Sequence, residues 1–232
     1  MVHNYIGGYI MYYYAIIGDI KESKHIEQRY ELQEKLKNIL NDINKNYNDG
    51  IAARFLITLG DEFQGLMENP KCILEIIKYI QRRMYPVELR FGIGIGEIYT
   101  KINREAALGA DGPAFYAARE AIEFLHKQEK QIKKQANDIQ FSLYKESSFE
   151  VTEINAMLSL IKVIEDNWSE KQRYTIWDMM TNHGNQQMCA KRMQTTQSTI
   201  ARRLADGKYI IYEKSLKVIG EAINKLGETY DK

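Results

Sequence analysis

The sequence holds only two cysteines, Cys72 and Cys189, far apart in the chain. That spacing rules out a cysteine-based zinc cluster and speaks against a disulfide framework, so a reducing, cytoplasmic setting is expected. The four histidines, His3, His25, His126 and His183, form no ligand-like pair. Net charge is scarce as well. With 32 basic and 31 acidic residues the balance is +1. Nothing global draws this chain to nucleic acid or to a membrane surface, and any basic face must be local. No apolar run reaches the roughly 18 residues of a membrane-spanning helix. The longest, 9–17, follows His3, Asn4 and two glycines without a basic start, and reads as a buried strand rather than a signal peptide.

What is present is ample core material. Apolar residues make up 44% of 232 residues, enough for one large domain or a domain with a smaller module. Residues 1–10 read as an extension or an alternative start. Residues 12–18 are β-rich and almost wholly apolar, which suits a central strand covered on both faces. Asp19 follows. Ser23 is placed to cap a helix whose apolar positions run from Ile26 to Tyr47 and which stops at Asn48-Asp49-Gly50. Two strands, 51–59 and 62–68, meet at Gly60-Asp61, and a helix led by Pro70 runs to Met84. The stretch from Val87 to Ile98 begins in alternation. One face is apolar, while the other carries Gly92, Gly94 and Gly96, against which either a helix or a ligand packs closely. A helix through Phe115, Ala118, Ile122 and Leu125 follows. The charged stretch 126–134 reads as a solvated helix end or loop, and a strand at 139–144 closes the domain.

This order contains β-α-β-β-α-β, the split βαβ of the ferredoxin-like α+β fold. In it the third strand lies antiparallel between the first and second. The end of the first strand and the Gly60-Asp61 turn therefore share one edge. Asp19 and Asp61 come together there. Two such carboxylates repel, and need a shared proton, a basic partner or a cation. Mg²⁺ suits one or two carboxylates with a backbone oxygen and substrate phosphate, and the turn after Asp19 offers N–H groups and lysines to a phosphate. The alternative is that Asp19 and Asp61 are ordinary cap and turn residues.

The segments Asp19-Ile20, Leu59-Gly60-Asp61-Glu62-Phe63 and Arg90-Phe91-Gly92-Ile93-Gly94-Ile95-Gly96, with Ala117-Ala118-Arg119, resemble the ordered motifs of class III nucleotide cyclases. The palm of the G-G-D-E-F diguanylate cyclases is similar too. The sequence is more similar to the SatD family, through 17–20, 57–66, Tyr85-Pro86, 90–97 and 109–114. The resemblance implies a cyclase-like palm over 11–145. In it Asp19, Asp61 and the backbone of Ile20 hold Mg²⁺ or Mn²⁺. Lys21, Ser23, Gly60 and Glu62 meet a nucleoside triphosphate or other nucleotide, and Arg119 stabilises developing charge. As an enzyme it would join a ribose hydroxyl to an α-phosphate and release pyrophosphate. As a regulator it would only sense the nucleotide, and a third form is a dimeric interaction protein with a degenerate cyclase fold. Class III cyclases work as dimers, so the resemblance implies a homodimer, and SatD-like proteins are linked with a membrane-protein partner. The pattern also departs from cyclases. Phe115 stands at the place of their transition-state asparagine, Leu59 replaces the first glycine of the diguanylate signature, and the residues that read adenine have no placed counterpart.

Residues 146–232 lack strand alternation and read as helical. Between 185 and 207 a short helix with small Ala190 meets a turn near Gln194-Thr195. A second helix then carries Ile200 and Leu204 inward, and Gln197, Ser198, Thr199, Arg202 and Arg203 outward. That pattern resembles a helix-turn-helix, with DNA as its partner through those five residues, or else a helical hairpin for packing or self-association. Five basic residues against one acidic between 185 and 208 give the local bias that the whole chain lacks.

Overall fold

The computed structural model describes residues 5–6, 9–22, 28–131, 137–182 and 185–230. The chain divides into two compact units, residues 1–155 with 222–232, and residues 156–221. The first unit therefore takes in the start of one helix and the end of another beyond the expected palm.

In the first unit a two-stranded pair, β1 (Tyr5–Ile6) and β2 (Tyr9–Ile10), precedes the main sheet. Then come β3 (Tyr13–Ile20), α1 (Arg29–Asn46), β4 (Ile51–Leu59), β5 (Glu62–Met67), α2 (Ile73–Met84), β6 (Leu89–Gly96), α3 (Pro113–Gln131) and β7 (Ile139–Leu143). The sheet order is β4-β5-β3-β6-β7. Strand β5 is antiparallel to both β3 and β4, β6 is antiparallel to β3, and β7 adds in parallel beside β6. This is the ferredoxin-like order with one extra edge strand, an α+β architecture as expected.

The bare glycine face of β6 receives α3, not a ligand. A Cβ at Gly94 would stand 1.9 Å from the Ala114 carbonyl oxygen, and one at Gly92 2.3 Å from that of Ala118. Helix and strand backbones can approach this closely only where side chains are missing. The opposite face is solid with Tyr14, Ile16, Phe63, Phe91, Ile93 and Phe141, all buried. The buried stripes of α1 (Leu36, Ile39, Leu40, Ile43) and α2 (Ile73, Ile76, Ile77, Ile80, Met84) supply its cover. Each such side chain contributes about 1.5–3 kcal/mol of burial.

Both edges of the sheet end on an asparagine. At β4 the Asn44 amide donates to the Phe55 carbonyl and accepts from the Phe55 N–H, each at 2.8 Å. At β7 Asn155 does the same for Phe141, at 2.9 and 2.8 Å.

Three sequence expectations shift. Asp19 and Ile20 lie inside β3, with Ile20 paired to Leu89, rather than in a turn after it. The helix expected from Ser23 is described from Arg29, with Tyr30 exposed, and Ser23 and Ile26 lie outside the described residues. The stretch after His126 is the helix end, one of its two readings, as far as Gln131, but Glu129 within it is half-buried rather than solvated.

The second unit is helical: the later part of α4 (Phe149–Asp166), α5 (Glu170–Asn182), α6 (Gln186–Arg192), α7 (Gln197–Asp206) and the earlier part of α8 (Tyr209–Tyr230). Leu158, Ile161, Trp168, Ile176, Cys189, Ile200, Leu204 and Tyr212 form buried apolar positions. The Trp168 indole donates to the Gly207 carbonyl at 2.8 Å and meets Tyr212 edge-on. Among the described residues of the chain, no helix is long and apolar enough to cross a membrane.

Candidate functional site

Asp19 is positioned by pairing on both sides. In register it stands opposite Glu62 of β5 and Arg90 of β6. Directly opposed residues project to the same face, with Cβ atoms about 4.5–5.5 Å apart. Asp19, Glu62 and Arg90 thus share the α3 face at one end of the sheet, and Asp61 sits in the adjoining turn. That turn is shaped by Gly60 at φ 63°, where glycine has no Cβ to clash. The Gln33 amide of α1 holds the Gly60 carbonyl, and the Thr58 hydroxyl donates to Glu62 Oε1 at 3.2 Å.

The end of α3 completes the site, because α3 runs back along β6 from Gly96 toward Arg90. The Arg90 guanidinium binds Asp19 Oδ1 at 2.9 Å through Nη1 and Glu129 through Nη2. His126 Nε2 lies 2.8 Å from Asp19 Oδ2. Lys21, just past β3, reaches Asp138 at the start of β7, Glu129 Oε1 at 2.9 Å and Glu88 Oε2 at 3.5 Å. Side-chain exposure is 8% for Arg90, 12% for Lys21 and 13% for Asp19, so these charges meet largely away from water. Burial works against the Lys21 ammonium, yet Asp138 and Glu129 outweigh it and raise its pKa. Burial likewise opposes ionised Glu129, but hydrogen bonds from Arg90 and Lys21 hold its carboxyl below the usual range.

Of the two carboxylates expected at the sheet end, Asp19 has the basic partner that was one of three ways to hold the pair. Both oxygens of Asp19 already accept from a cation or an imidazole. Among the described residues no group of three or more His, Cys, Asp or Glu side chains is arranged to hold a metal ion. A divalent ion on Asp19 would also lie beside Arg90. At about 4 Å and an effective dielectric near 20, each unit-charge pair repels by about 4 kcal/mol. The donor set as folded does not fit a divalent cation at Asp19.

The other expected site residues scatter. Lys21 is near Asp19 but committed to carboxylates, and Ser23 lies outside the described residues. Arg119 is exposed on α3. It stands seven residues before His126, about 10 Å along the helix at 1.5 Å per residue. Phe115 is buried in the core with Ala15 and Ala118. Arg90, His126, Glu129 and Asp138 were not singled out from the sequence. The one signal for Arg90 was its place on the same strand face as Gly92, Gly94 and Gly96, at the end that meets Asp19.

In the second unit α6 and α7 are joined by residues 193–196, with Gln194 at φ 51°. Asn185 caps α6 by accepting from Met188 N, and Thr196 caps α7 by accepting from Thr199 N. Arg192 clamps Asp178 of α5 through two bonds, at 2.8 and 2.6 Å. Gln197, Ser198 and Arg202 are exposed and Thr199 is half-buried. Arg203 departs from the outward expectation. It is half-buried, with Nη1 3.5 Å from the Thr175 hydroxyl, because its turn of α7 faces α5.

The SatD family model matches residues 13–223. No curated protein matches the chain. Among solved structures, the guanylate cyclase domain of RhGC from Catenaria anguillulae in complex with GTP is similar with a TM-score of 0.37. It is 13% identical over 54% of this chain and 84% of that one. A bacterial light-regulated adenylyl cyclase gives 0.38 at 14% identity, covering 56% and 75%. The adenylyl cyclase CyaB from P. aeruginosa gives 0.31 at 15%, covering 53% and 80%. Likenesses at these TM-scores carry no weight for the site or the reaction.

Proposed function

The chain belongs to the SatD family, and from that premise we propose that it is a regulator, with a helix-turn-helix that binds DNA and a palm that senses a nucleotide without converting it. The observation that carries the first half is α7. Its apolar positions Ile200 and Leu204 are buried while Gln197, Ser198 and Arg202 face water, and Lys191 and Lys208 flank them, also exposed. Amide, hydroxyl and guanidinium groups on one helix are the types that read base edges and phosphates. Arg203, turned toward α5, is left out of the reading surface.

For the palm, the non-converting half of the reading is supported by where the described residues place the groups a cyclase would need. Asp19 is taken up by Arg90 and His126, Phe115 is core, and Arg119 is remote from the sheet end. The converting reading keeps one observation in its favour, the alignment of Asp19 with Glu62 beside Asp61.

Fluorescence anisotropy of the full chain on labelled duplex DNA tests the regulator. Affinity is expected to fall with salt, and Arg202→Ala to weaken it and lower the log–log salt slope by about 1. Binding without salt dependence, or unaltered in Arg202→Ala, would sink the DNA reading. Pyrophosphate release from ATP or GTP with Mn²⁺, lost in Asp61→Ala, would replace the sensor by an enzyme.

A further inference from the structure

We infer that Arg90 is the resident cation of the sheet end, and that Asp19 latches the last turns of α3 to the sheet instead of holding a metal. The connection is a chain of contacts, with the His126 imidazole on Asp19, Asp19 on Arg90, Arg90 on Glu129, Glu129 on Lys21 and Lys21 on Asp138. Four carboxylates, Asp19, Glu129, Asp138 and the more exposed Glu88, face Arg90 and Lys21, so each withdrawn cation already has its carboxylate partners. A divalent cation on Asp19 would have to displace the Arg90 guanidinium or lie against it, in a place where Arg90 and Lys21 are already largely withdrawn from water.

The sequence of α3 gives an independent reason for a latch. Its buried apolar residues end at Leu125, and 126–131 bury none. A polar helix end of that length frays unless something else holds it. His126 and Glu129 are the two residues that do so, spaced i and i+3 on one side of the helix. They grip the two carboxylate and guanidinium partners that β3 and β6 bring into register.

The inference goes beyond the regulator reading and does not depend on it, since its test involves neither DNA nor nucleotide. Two measurements on the full chain decide it: Mn²⁺ binding by water-proton relaxation, and amide hydrogen exchange over residues 126–131. The variants are Asp19→Asn and His126→Gln, the second serving if the first does not fold, because the His126 side chain is 43% exposed. Expected are no Asp19-dependent Mn²⁺ binding and exchange about tenfold faster in either variant. A tightly bound Mn²⁺ that Asp19→Asn removes, or exchange unchanged in the variants, overturns the inference.

Discussion

A carboxylate gripped by two cations titrates unlike one in water, and Glu129 is such a group. Its pKa is lowered, against its burial, by bonds from Arg90 and Lys21. A lowered folded-state value means its stabilisation is complete above the unfolded value, about 4.3, and disappears as pH falls through the folded one. Glu129→Gln is expected to lose roughly 1–3 kcal/mol at neutral pH. It should also show a flatter stability curve than the parent below about pH 4.3, measured by urea melts across pH. Lys21 behaves in the opposite sense. Its raised pKa gives stability that is complete below about 10.4 and is lost only at higher pH. Little of this was legible in the sequence. Asp19 could be placed beside the Gly60-Asp61 turn because strand order follows from periodicity. Its true partners come from two other elements, β6 and α3, and charged residues at 126–131 look the same whether they face solvent or a buried guanidinium.

At the scale of elements, β6 and α3 show what periodicity can and cannot say. The glycines at 92, 94 and 96 announced a close neighbour, and the structure supplies the helix. The prediction is correspondingly sharp. Gly94→Ala would force a Cβ into the Ala114 carbonyl, and a loss of about 3 kcal/mol or failure to fold is expected. Gly60→Ala should cost only about 1 kcal/mol. That site has open space and only the strain of φ 63°. Thermal melts of the two variants side by side check the contrast. The helix caps were partly readable. Asn185 and Thr196 stand where an N-cap should, whereas the inward turn of Arg203 depends on α5, which no pattern within α7 discloses.

At the scale of the molecule, two units with separate cores carry separate chemistry. The palm's charges are directed at one another, while those of α7 remain available to a partner. The neutral total of +1 concealed both arrangements. Salt should therefore bear on the two units unequally. Exposed Arg202 is screened within about 10 Å at 0.1 M, and the withdrawn Arg90 network far less.

The paired asparagines have a consequence for how copies of this protein can meet. An open strand edge is a template on which a foreign strand can grow. Here Asn44 and Asn155 occupy the hydrogen-bonding slots of Phe55 and Phe141 at the two outer strands. A strand added there would find those groups already bonded. Asn44→Ala and Asn155→Ala are each expected to lose about 1–3 kcal/mol. The double variant should give thioflavin-positive fibrils under conditions where the parent stays clear. Absence of fibrils from a destabilised double variant would show that other features guard the edges. With both amides in place, a second copy that approached the main sheet edge-on would have to displace them before a strand could pair at Phe55 or Phe141.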